Sequence, residues 1–443
     1  MNIILLSGGS GKRLWPLSNE VRSKQFLQLL TDEKGEHESM VQRVYRQIRA
    51  AGIEDHIVVA TSASQKDSIR RQLGKKVDVV VEPERRNTFP AIVLASSYLT
   101  SERQVDAEET VIVLPVDPYV DLSYFQTFLK MDEVVQSGKA DMVLMGIQPS
   151  YPSAKYGYIL CQENNGDHVV TGFKEKPDET VAAELIQGGA LWNGGVFAFK
   201  LSYLQKITKQ YLKEIDFHSV REHYGDLKKD SFDYEVVEKA KSLAVVTYDG
   251  QWKDIGTWNT LTEVMKENSV GDVIMGEECV NTHVINELSI PVVTLGTENI
   301  VVAASPDGIL VSDKHKSSYI KPYVEKLDNR PMYEESIWGD YKVLDYTQYE
   351  DGHRSLIKQM QVSAGKYLDY LSHKHKDVTW TIVDGQGYLI MDGVTTIARG
   401  GDVFHFRAGD RHGLNALSAM HLVEVQMGNE LSEEDVVIYE WSE

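Results

Sequence analysis

The chain opens with Ile3-Ile4-Leu5-Leu6-Ser7-Gly8-Gly9-Ser10-Gly11-Lys12-Arg13-Leu14-Trp15-Pro16, and this stretch decides the fold. Four apolar residues run into a turn with three glycines, two cations follow, and Lys24 comes eleven residues after Arg13. In α/β proteins, an apolar strand that ends in a glycine-rich turn brings backbone N–H groups close to phosphate. Basic side chains beyond the turn can neutralise the charge of the phosphate. The stretch therefore predicts a buried strand and a phosphate-binding loop. A loop that only joins a strand to a helix is the alternative interpretation.

Composition describes an ordinary globular protein of two or three domains, with 443 residues, 42% of them hydrophobic and 25% charged. The formal net charge of −20 argues against nucleic acid as a partner, because a phosphate backbone needs a basic face. Cys161 and Cys279 are the only cysteines, which indicates a reducing compartment. No apolar run approaches the roughly 20 residues of a membrane span, and the first residues are typical of a core strand rather than a signal peptide. We therefore expect a cytoplasmic enzyme with no membrane partner.

The pattern of apolar residues divides the chain into three expected domains. In residues 1–270, short apolar runs alternate with segments of helical periodicity, which indicates a Rossmann-like α/β domain whose mostly parallel, mixed sheet is covered on both faces. Ligands of such sheets lie beyond the carboxyl ends of the strands, so we expect the glycine loop, Glu82 and Asp117 on one rim. Residues 271–329 hold short β-rich stretches, typical of a small β-helix-like unit. Residues 330–443 combine β segments with glycine-containing turns, which predicts an all-β jelly roll.

The opening motif resembles the signature of the sugar-1-phosphate nucleotidyltransferases. Its letters GGSGKRLWPLS and SKQFL are similar to those of the mannose-1-phosphate guanylyltransferases in particular. The spacing is not that of a Walker loop, since GxxxxGK[ST] is absent, nor that of a dinucleotide fingerprint, since the third glycine of GxGxxG is missing. The resemblance implies that catalysis uses Arg13, Lys24, Asp117 and Asp254. It implies that the nucleotide is bound by Leu6, Gly8, Gly9, Ser10, Gly11, Lys12, Arg13, Lys24, Glu82, Asn87, Thr88 and Asp117.

Three further motifs concern the base and the metal ion. The segment VEPERRNTFPAI resembles EPxxRNTAPAI, and Glu82 in it offers a carboxylate to the two donors on the edge of guanine. The alternative is a solvated loop in which Asn87 or Thr88 caps a helix. LPVDP and WKDIGTW resemble LPxDH and WxDxGxW, whose aspartates bind metal, although the usual histidine is replaced by proline in this chain. Mg²⁺ takes one or two carboxylates together with phosphate oxygens, so the resemblance implies Mg²⁺ at Asp117 and Asp254.

A second set of motifs concerns the sugar phosphate. The letters YGYI, FKEKP and LWNGGVF resemble GYGYI, EKP and WNSGMF of the family. Carboxylate and amide groups suit the hydroxyls of a pyranose, and a lysine can hold its phosphate. The implied sugar-phosphate site contains Gly157, Tyr158, Glu175, Lys176, Asn193 and Asp254. The segment SFDYEVVEK resembles SIDYAVMEK, which abuts the sugar in the family; an amphipathic helix with solvated charges is the alternative.

The last domain resembles a cupin, because SHKH and GDRHGLN are similar to the two cupin motifs. The region as a whole resembles the isomerase domain of bifunctional guanylyltransferase/mannose-6-phosphate isomerases. His373 and His375, two apart on an expected strand, would face the same side and form with His412 a three-imidazole site for Zn²⁺ or another divalent ion. The ligand glutamate of the family corresponds to Val378, which cannot coordinate a metal. We therefore expect weak or no isomerase activity.

The preferred interpretation is an enzyme that forms GDP-mannose and pyrophosphate from GTP and mannose 1-phosphate, or from a related sugar 1-phosphate. Two alternatives keep the nucleotidyl chemistry: one uses a different base or acceptor, such as CTP, and the other adds a fully active isomerase domain. A third alternative is a non-catalytic sensor of sugar nucleotides. The presence of Arg13, Lys24, Asp117 and Asp254 argues against the sensor. The small β unit is a candidate contact for a homodimer.

Overall fold

The structure of the chain is a computed structural model that describes residues 1–9, 11–19, 21–53, 56–164, 167–327, 330–432 and 434–440. The chain folds into two compact units. The first consists of Met1–Leu14 and Ser23–Lys266, and the second consists of Trp15–Arg22 and the chain from Glu267 onward. The predicted domain boundaries after residues 270 and 329 stay a prediction.

The first unit alternates strands and helices, as the pattern of apolar runs predicts. Its strands are β1 (Asn2–Leu6), β2 (Leu30–Thr31), β3 (His37–Glu38), β4 (Ile57–Ser62), β5 (Asp78–Glu82), β6 (Thr110–Pro115), β7 (Pro118–Val120), β8 (Met142–Ile147), β9 (Tyr158–Asn164), β10 (Asp167–Lys174), β11 (Leu191–Lys200), β12 (Leu243–Tyr248) and β13 (Trp252–Asp254). Its α-helices are α1 (Met40–Ala50), α2 (Lys66–Leu73), α3 (Thr88–Ser101), α4 (Leu122–Gln136), α5 (Glu179–Gln187), α6 (Leu201–Thr208), α7 (Phe217–Glu222) and α8 (Trp258–Thr262).

Nine of these strands form one mixed sheet in the order β5-β4-β1-β6-β11-β8-β12-β10-β9. Strand β1 pairs in parallel with β4 and β6, so that Leu6 lies beside Ala60 and Pro115. After β5 the chain crosses to the other side of β1 and enters β6, so the strand order reverses at β1. In open α/β sheets this switch point leaves a ligand crevice beyond the carboxyl ends of the strands. The predicted Rossmann-like sheet is confirmed.

The two faces of β1 explain why the opening stretch becomes a central strand. Successive side chains of a strand point to opposite faces. Ile3 and Leu5 belong to the core cluster on one face, and Ile4 belongs to the cluster on the other, where residues of α3 pack. All three side chains are fully buried. A strand buried on both faces requires a continuous apolar run, which is what the sequence supplies.

The second unit begins with short parallel strands and ends in an all-β region. Its strands are β14 (Ser269–Val270), β15 (Val273–Met275), β16 (His283–Asn286), β17 (Val292–Thr294), β18 (Ile300–Ser305), β19 (Gly308–Asp313), β20 (Tyr333–Ser336), β21 (Gly339–Gln348), β22 (Arg354–Val362), β23 (Tyr367–Ser372), β24 (Lys376–Asp384), β25 (Gln386–Met391), β26 (Val394–Arg399), β27 (Val403–Phe406), β28 (His412–Ala416), β29 (Met420–Gly428) and β30 (Val437–Ile438). One α-helix, α9, spans Lys321–Val324.

The short strands stack as the β-helix-like prediction expects. Strands β14, β16 and β18 pair in parallel in one sheet, and β15 pairs in parallel with β17 in another. The segment Trp15–Arg22 belongs to this unit. Ser305 Oγ donates to the carbonyl of Pro16 at 2.8 Å, and the guanidinium of Arg22 donates to both oxygens of Glu287 at 2.7 and 3.0 Å. Such a two-point pair fixes a side chain in orientation as well as position.

The all-β region is a jelly roll of two antiparallel sheets, ordered β20-β21-β22-β29-β24-β27 and β26-β25-β28-β23-β30. Its core includes Leu356, Val378, Ile382 and Leu422, each fully buried. The predicted cupin-like fold is confirmed. Within the residues that the structure describes, no helix is both long enough and apolar enough to cross a membrane.

Candidate active site

The glycine loop after β1 is fixed against the segment that carries Lys24. Gly11 has a φ of 59°, and a Cβ built on it would lie 2.6 Å from the backbone nitrogen of Lys24, so this position requires glycine. The carbonyl of Gly9 accepts hydrogen bonds from Ser23 Oγ at 2.9 Å and from Gln65 Nε2 at 3.0 Å. These contacts hold the loop in one shape at the end of the strand.

A cavity of about 280 Å³ opens beside this loop, close to the size at which small-molecule sites begin. Its walls come from the ends of β1, β4, β5 and β6 and from the start of α3. Among the predicted nucleotide-binding residues, those that line it are Leu6, Gly8, Gly9, Lys24, Glu82, Asn87, Thr88 and Asp117. Gly11, Lys12 and Arg13 are not part of this lining, and Ser10 lies outside the described residues.

Glu82 lines the cavity at the end of β5. Its side chain is buried, Tyr224 donates its hydroxyl to Oε2 at 2.8 Å, and a Cβ on Gly8 would lie 3.0 Å from Oε1. Burial raises the pKa of Glu82 above its ordinary value, although Tyr224 and Arg85 act in the opposite direction. The site therefore presents a nearly desolvated carboxyl group to whatever base enters. Sequence reasoning missed Tyr224, because 142 residues separate it from Glu82.

Asn87 and Thr88 shape the entrance to α3. Asn87 has a φ of 72°, and its side chain accepts a hydrogen bond from the backbone of Thr88 at 2.8 Å, so it caps the helix. Thr88 Oγ1 accepts a hydrogen bond from the backbone of Phe232 at 2.9 Å. The capping alternative from the sequence is thus observed for Asn87. The contact of both residues with a nucleotide stays a prediction.

Lys24 lies between two carboxylates. Its Nζ is 2.7 Å from Asp117 Oδ2. A Cβ on Gly256 would lie 2.8 Å from Lys24 Nζ and 2.9 Å from Asp254 Oδ1, so these two groups face the same glycine. Burial alone would lower the pKa of Lys24, but the charges of Asp117 and Asp254 raise it. Burial acts to raise the pKa of Asp117, and Lys24 and Arg13 bring it below its ordinary value. The four predicted catalytic residues therefore act on one another electrostatically.

Strand pairing explains why two aspartates so far apart in sequence come together. Strands β7 and β13 are antiparallel, and Asp254 lies directly opposite Pro118, the neighbour of Asp117. Residues paired in this way have Cα atoms about 4.5–5.5 Å apart. The proline that replaces the usual histidine is therefore the residue that pairs with Asp254. Proline suits this place because β7 pairs with only one neighbouring strand.

Four of the predicted sugar-phosphate residues meet at a second cluster in the first unit: Gly157, Glu175, Lys176 and Asn193. The backbone N–H of Asn193 donates to the carbonyl of Gly157 at 2.7 Å, and its Nδ2 donates to Asp233 Oδ1 at 2.7 Å. Glu175 Oε1 pairs with Lys176 Nζ. Glu175 Oε2 is buried and has no hydrogen-bond partner among the described residues. An acceptor left in this state favours a ligand that brings a donor, such as a hydroxyl group.

Gly157 is required by this cluster. A Cβ there would collide with Glu175 Oε2 and lie 2.8 Å from the ring of Phe173. The sequence did not single out Asp233 as a site residue. Burial, and after it the charge of Glu175, raises the pKa of Asp233 to about 6. The segment that carries it, Asp233–Val237, forms one turn of π-helix. Such turns often occur at functional sites.

The side chain of Tyr158, a predicted sugar-phosphate residue, lies in the core. Its ring is fully buried, and its hydroxyl is engaged by the backbone N–H and carbonyl of Ser153 and by Trp192 Nε1, at 2.9, 3.0 and 3.1 Å. The side chain therefore belongs to the core. A buried tyrosine hydroxyl needs hydrogen-bond partners of its own, and an aromatic N–H such as that of Trp192 can be one. The tryptophan in the neighbouring motif was therefore a signal that Tyr158 packs in the core.

The predicted metal sites differ in how well the residues fit an ion. Among the described residues, no cluster contains three or more histidine, cysteine, aspartate or glutamate side chains placed to hold a metal. Asp117 and Asp254 still suit Mg²⁺, because this ion uses one or two carboxylates and takes its remaining ligands from substrate phosphates and water. A cation, Lys24 Nζ, already occupies the space beside both carboxylates.

The structure does not bring together the three histidines predicted to form a metal site in the jelly roll. Residues 373–375 form a bend between β23 and β24, not a strand, so the two-residue alternation does not apply. His373 and His412 are buried with ring centroids 5.5 Å apart, whereas His375 is exposed. Asp435 causes the bend, because its two carboxylate oxygens accept the backbone N–H groups of Lys374 and His375, both at 3.0 Å. Burial lowers the pKa of His373, and that of His412 to about 4.

Comparison with known proteins finds two families along the chain. Residues 2–269 match the nucleotidyl transferase family, and residues 326–441 match the C-terminal domain of mannose-6-phosphate isomerase. The chain is 31% identical to a putative mannose-1-phosphate guanylyltransferase of Vibrio cholerae, over 99% of both proteins. It is also 31% identical to the xanthan biosynthesis protein XanB of Xanthomonas campestris, over 99% of this chain and 97% of that protein.

A solved structure supports the same relationship. A structure described as the mannose-1-phosphate geranyltransferase of Thermus thermophilus matches with a TM-score of 0.62 and 29% identity, over 74% of this chain and 99% of its own. The mannose-1-phosphate guanylyltransferase of Escherichia coli K12 is 29% identical over 98% of this chain. The chain therefore belongs to the mannose-1-phosphate guanylyltransferase family of nucleotidyltransferases and carries the C-terminal domain of the mannose-6-phosphate isomerase family.

Proposed function

We propose that this protein transfers the guanylyl group of GTP to mannose 1-phosphate and releases pyrophosphate, so that GDP-mannose is the product. The observation that carries the proposal is the convergence of Lys24, Asp117 and Asp254, of which Lys24 and Asp117 line a cavity together with Glu82. A phosphoryl-transfer site needs cations at the phosphates and carboxylates for a divalent ion. The comparisons support it, because relatives over the whole chain carry the name of this activity.

In the proposed reaction, an oxygen of the sugar phosphate attacks the α-phosphorus of the nucleotide. The bond between that phosphorus and the oxygen bridging to the β-phosphate breaks, and pyrophosphate leaves with the electron pair. The residues supply no nucleophile; they position the two substrates and balance charge. Arg13 and Lys24 face the triphosphate in this scheme, and Lys176 holds the phosphate of the sugar.

Asp117 and Asp254 would hold Mg²⁺. The ion would neutralise the charge that develops on the phosphates. Lys24 has to give up part of its contact with Asp117 when the ion arrives, and the phosphates offer it new partners. Glu82 accepts from the N–H groups of guanine, while Tyr224 holds its other oxygen. The buried, unpartnered oxygen of Glu175 accepts from a hydroxyl of the sugar.

The jelly roll has little or no isomerase activity in this proposal. Isomerisation of a phosphosugar needs a metal to polarise the carbonyl group and a base to move a proton. Val378 is buried in the core and His375 is exposed, so this chain lacks a full ligand set of the predicted kind. The proposal also keeps a homodimer and a cytoplasmic location, the latter consistent with Cys161 and Cys279, which are both unpaired.

The proposal is tested by measuring pyrophosphate release from the purified protein with Mg²⁺, each of GTP, CTP, ATP and UTP, and each of several sugar 1-phosphates. We expect the GTP and mannose 1-phosphate pair to give the highest kcat/KM. A preference for CTP would move the assignment to the alternative with a different base. Absence of turnover with every pair would overturn the enzymatic role itself. Conversion of mannose 6-phosphate to fructose 6-phosphate is measured separately, and robust turnover there would contradict the assignment for the jelly roll.

A further inference from the structure

A network of buried polar side chains lies beside the glycine loop, and its central residue, Gln65, belongs to none of the sequence motifs. Gln65 ends a short 3₁₀-helix, Ala63–Gln65, which follows β4 directly. Strand β4 pairs in parallel with β1, so its carboxyl end and the glycine loop lie at the same edge of the sheet. The side chain of Gln65 is fully buried. A polar side chain is rarely this buried unless its hydrogen bonds are made within the protein.

Gln65 uses every hydrogen-bonding position of its amide group. Its Nε2 donates to the carbonyl of Gly9 at 3.0 Å and to Ser23 Oγ at 2.6 Å. Its Oε1 accepts from Gln25 Nε2 at 3.3 Å and from Thr61 Oγ1 at 3.1 Å. A glutamine amide has two N–H donors and an oxygen with two lone pairs, so the group is saturated. Gln65 can therefore affect a reaction only through these partners.

The partners also fix the orientation of the Gln65 amide. The carbonyl of Gly9 can only accept, so the atom that faces it is the amide nitrogen. Ser23 Oγ donates its one hydrogen to the same carbonyl at 2.9 Å and accepts from Gln65. Glutamate has nearly the same shape as glutamine but no N–H group. In place of Gln65 it would put an acceptor against a carbonyl oxygen.

Two of the partners are the chain neighbours of Lys24. Ser23 precedes Lys24 and Gln25 follows it, and both side chains are buried. The amide nitrogen of Gln65 contacts the first and the amide oxygen contacts the second. Gln25 Nε2 also donates to the carbonyl of Ser7 at 3.1 Å. The segment that carries Lys24 is therefore held on both sides of the lysine by one side chain.

The same amide also holds the glycine loop, through the carbonyl of Gly9. Gln65 thus joins two parts of the chain that the proposed reaction places at the triphosphate. The separation between them matters because a cation acts on phosphate charge only where its geometry is right, and a misplacement of about 1 Å can reduce a rate about 100-fold. The ammonium group of a lysine lies at the end of a flexible four-carbon stem, so its position depends on a backbone that does not move.

We propose that Gln65 is a positioning residue for nucleotidyl transfer, whose amide sets the place of Lys24 relative to the glycine loop. The inference rests on the proposed function, because that function assigns Lys24 to the phosphates of the nucleotide. Gln65 itself touches neither substrate, since its amide is saturated by the protein. Its loss therefore lowers the rate through Lys24, in addition to any effect on the stability of the fold.

The first test compares three variants by pyrophosphate release. Gln65→Met removes all four hydrogen bonds at nearly constant volume, and Gln65→Glu keeps the shape but loses the donors. Each should lower kcat about 10- to 100-fold and leave the KM for mannose 1-phosphate within about threefold. The control is Gln47→Met, which removes a buried glutamine of α1 that donates to the carbonyl of Val120 at 3.1 Å. It should leave kcat within about threefold. A kcat of Q65M within that range would overturn the proposal.

A double-mutant cycle decides whether Gln65 acts through Lys24. In the background of Lys24→Met, the further change Q65M should lower kcat less than about threefold, because the ammonium group that Gln65 positions is no longer there. A role in overall stability alone would not depend on the presence of Lys24. Losses that multiply in the double variant would therefore overturn the proposal.

Hydrogen–deuterium exchange of the protein without substrates tests the same inference without turnover. Peptides that cover Ser23–Phe26 should exchange at least tenfold faster in Q65M than in wild type, while those that cover α4 should not change. Equal exchange over Ser23–Phe26 would overturn the proposal. Absence of pyrophosphate release from wild type would instead mark a failure of the proposed function. If Q65M does not fold, Ser23→Ala, which removes one arm of the network, replaces it in all three measurements with the same criteria.

Discussion

Lys24 Nζ lies 2.7 Å from Asp117 Oδ2, within a site where Asp254 also faces the ammonium group. Lys24 interacts electrostatically with both carboxylates, Arg13 adds to the effect on Asp117, and the β7–β13 pairing brings the segments of the two aspartates together. The same three groups are those that a triphosphate and a divalent ion would engage. The site therefore carries its own counter-charge, and Lys24 is the main charge that brings the pKa of Asp117 below its ordinary value.

The first prediction concerns Lys24. Lys24→Met should reduce kcat for pyrophosphate release about 100- to 1,000-fold, because it removes a positioned cation from the developing phosphate charge. The control is Lys34→Met, which removes an exposed lysine and should leave kcat within about twofold. A K24M enzyme with a normal kcat and only a raised KM for GTP would show that Lys24 contributes to ground-state binding alone.

The second prediction concerns the divalent ion. EDTA should abolish nucleotidyl transfer, and Asp254→Asn should raise the Mg²⁺ concentration for half-maximal rate at least tenfold, because an amide is a weaker ligand than a carboxylate. The control is Asp249→Asn, an exposed aspartate of the same turn. Mg²⁺ titrations of the rate that superimpose for wild type and D254N would remove Asp254 from the metal site.

The third prediction concerns the choice of base. Glu82→Gln should lower kcat/KM for GTP by about 10- to 100-fold, because the amide brings a donor to an edge of guanine that also presents donors. The loss in kcat/KM with ATP should be smaller, so the ratio of kcat/KM for GTP to that for ATP should decrease. Glu84→Gln alters an exposed glutamate of the same loop and serves as the control. Equal losses with both nucleotides would mean that Glu82 shapes the cavity without reading the base.

The fourth prediction concerns the dependence of stability on pH. The pKa of Asp233 is raised from 3.8 to about 6, first by burial and then by Glu175, so between these values the folded state binds more protons than the unfolded state. Its contribution to the free energy of unfolding therefore falls as pH rises from about 4 to 6 and is constant above. Asp233→Asn keeps the acceptor for Asn193 but removes the titration.

This is measured by urea unfolding at several pH values. The free energy of unfolding of D233N, taken relative to wild type, should increase between pH 4 and 6 and then level off. Asp226→Asn, which changes an exposed aspartate of the same region, should give a flat difference. A flat difference for D233N would show that Asp233 titrates in the folded protein as it does in the unfolded chain.

Local patterns predicted the parts of the fold that depend on local physics. A continuous apolar run such as Ile3–Leu6 favours a strand buried on both faces, and a glycine loop that follows it lies at the end of that strand. The proximity of Asp117 and Asp254 depended on the family resemblance, because no local pattern reveals that two short strands pair across more than a hundred residues. The contact between Glu82 and Tyr224 has no signature in the sequence for the same reason.

Two side chains lie where the sequence interpretation did not expect them, because a residue type was given a role before its surroundings were known. His375 was placed by the alternation of a strand, and a carboxylate sixty residues away turns that strand into a bend. Tyr158 was placed by a motif, but its hydroxyl is already engaged in the core. In both cases a long-range hydrogen bond decides the side chain's position, and periodicity does not encode such bonds.

The membership of Trp15–Arg22 in the second unit has a consequence for any attempt to dissect the protein. Between the glycine loop and Lys24, the polypeptide leaves the nucleotidyltransferase unit, is secured by Ser305 and Glu287, and returns. A fragment truncated after Lys266 would keep every proposed catalytic side chain. It would lose Ser305 and Glu287, which hold the segment between the glycine loop and Lys24. A fragment boundary at Lys266 therefore cuts through the second unit, because Trp15–Arg22 belongs to it.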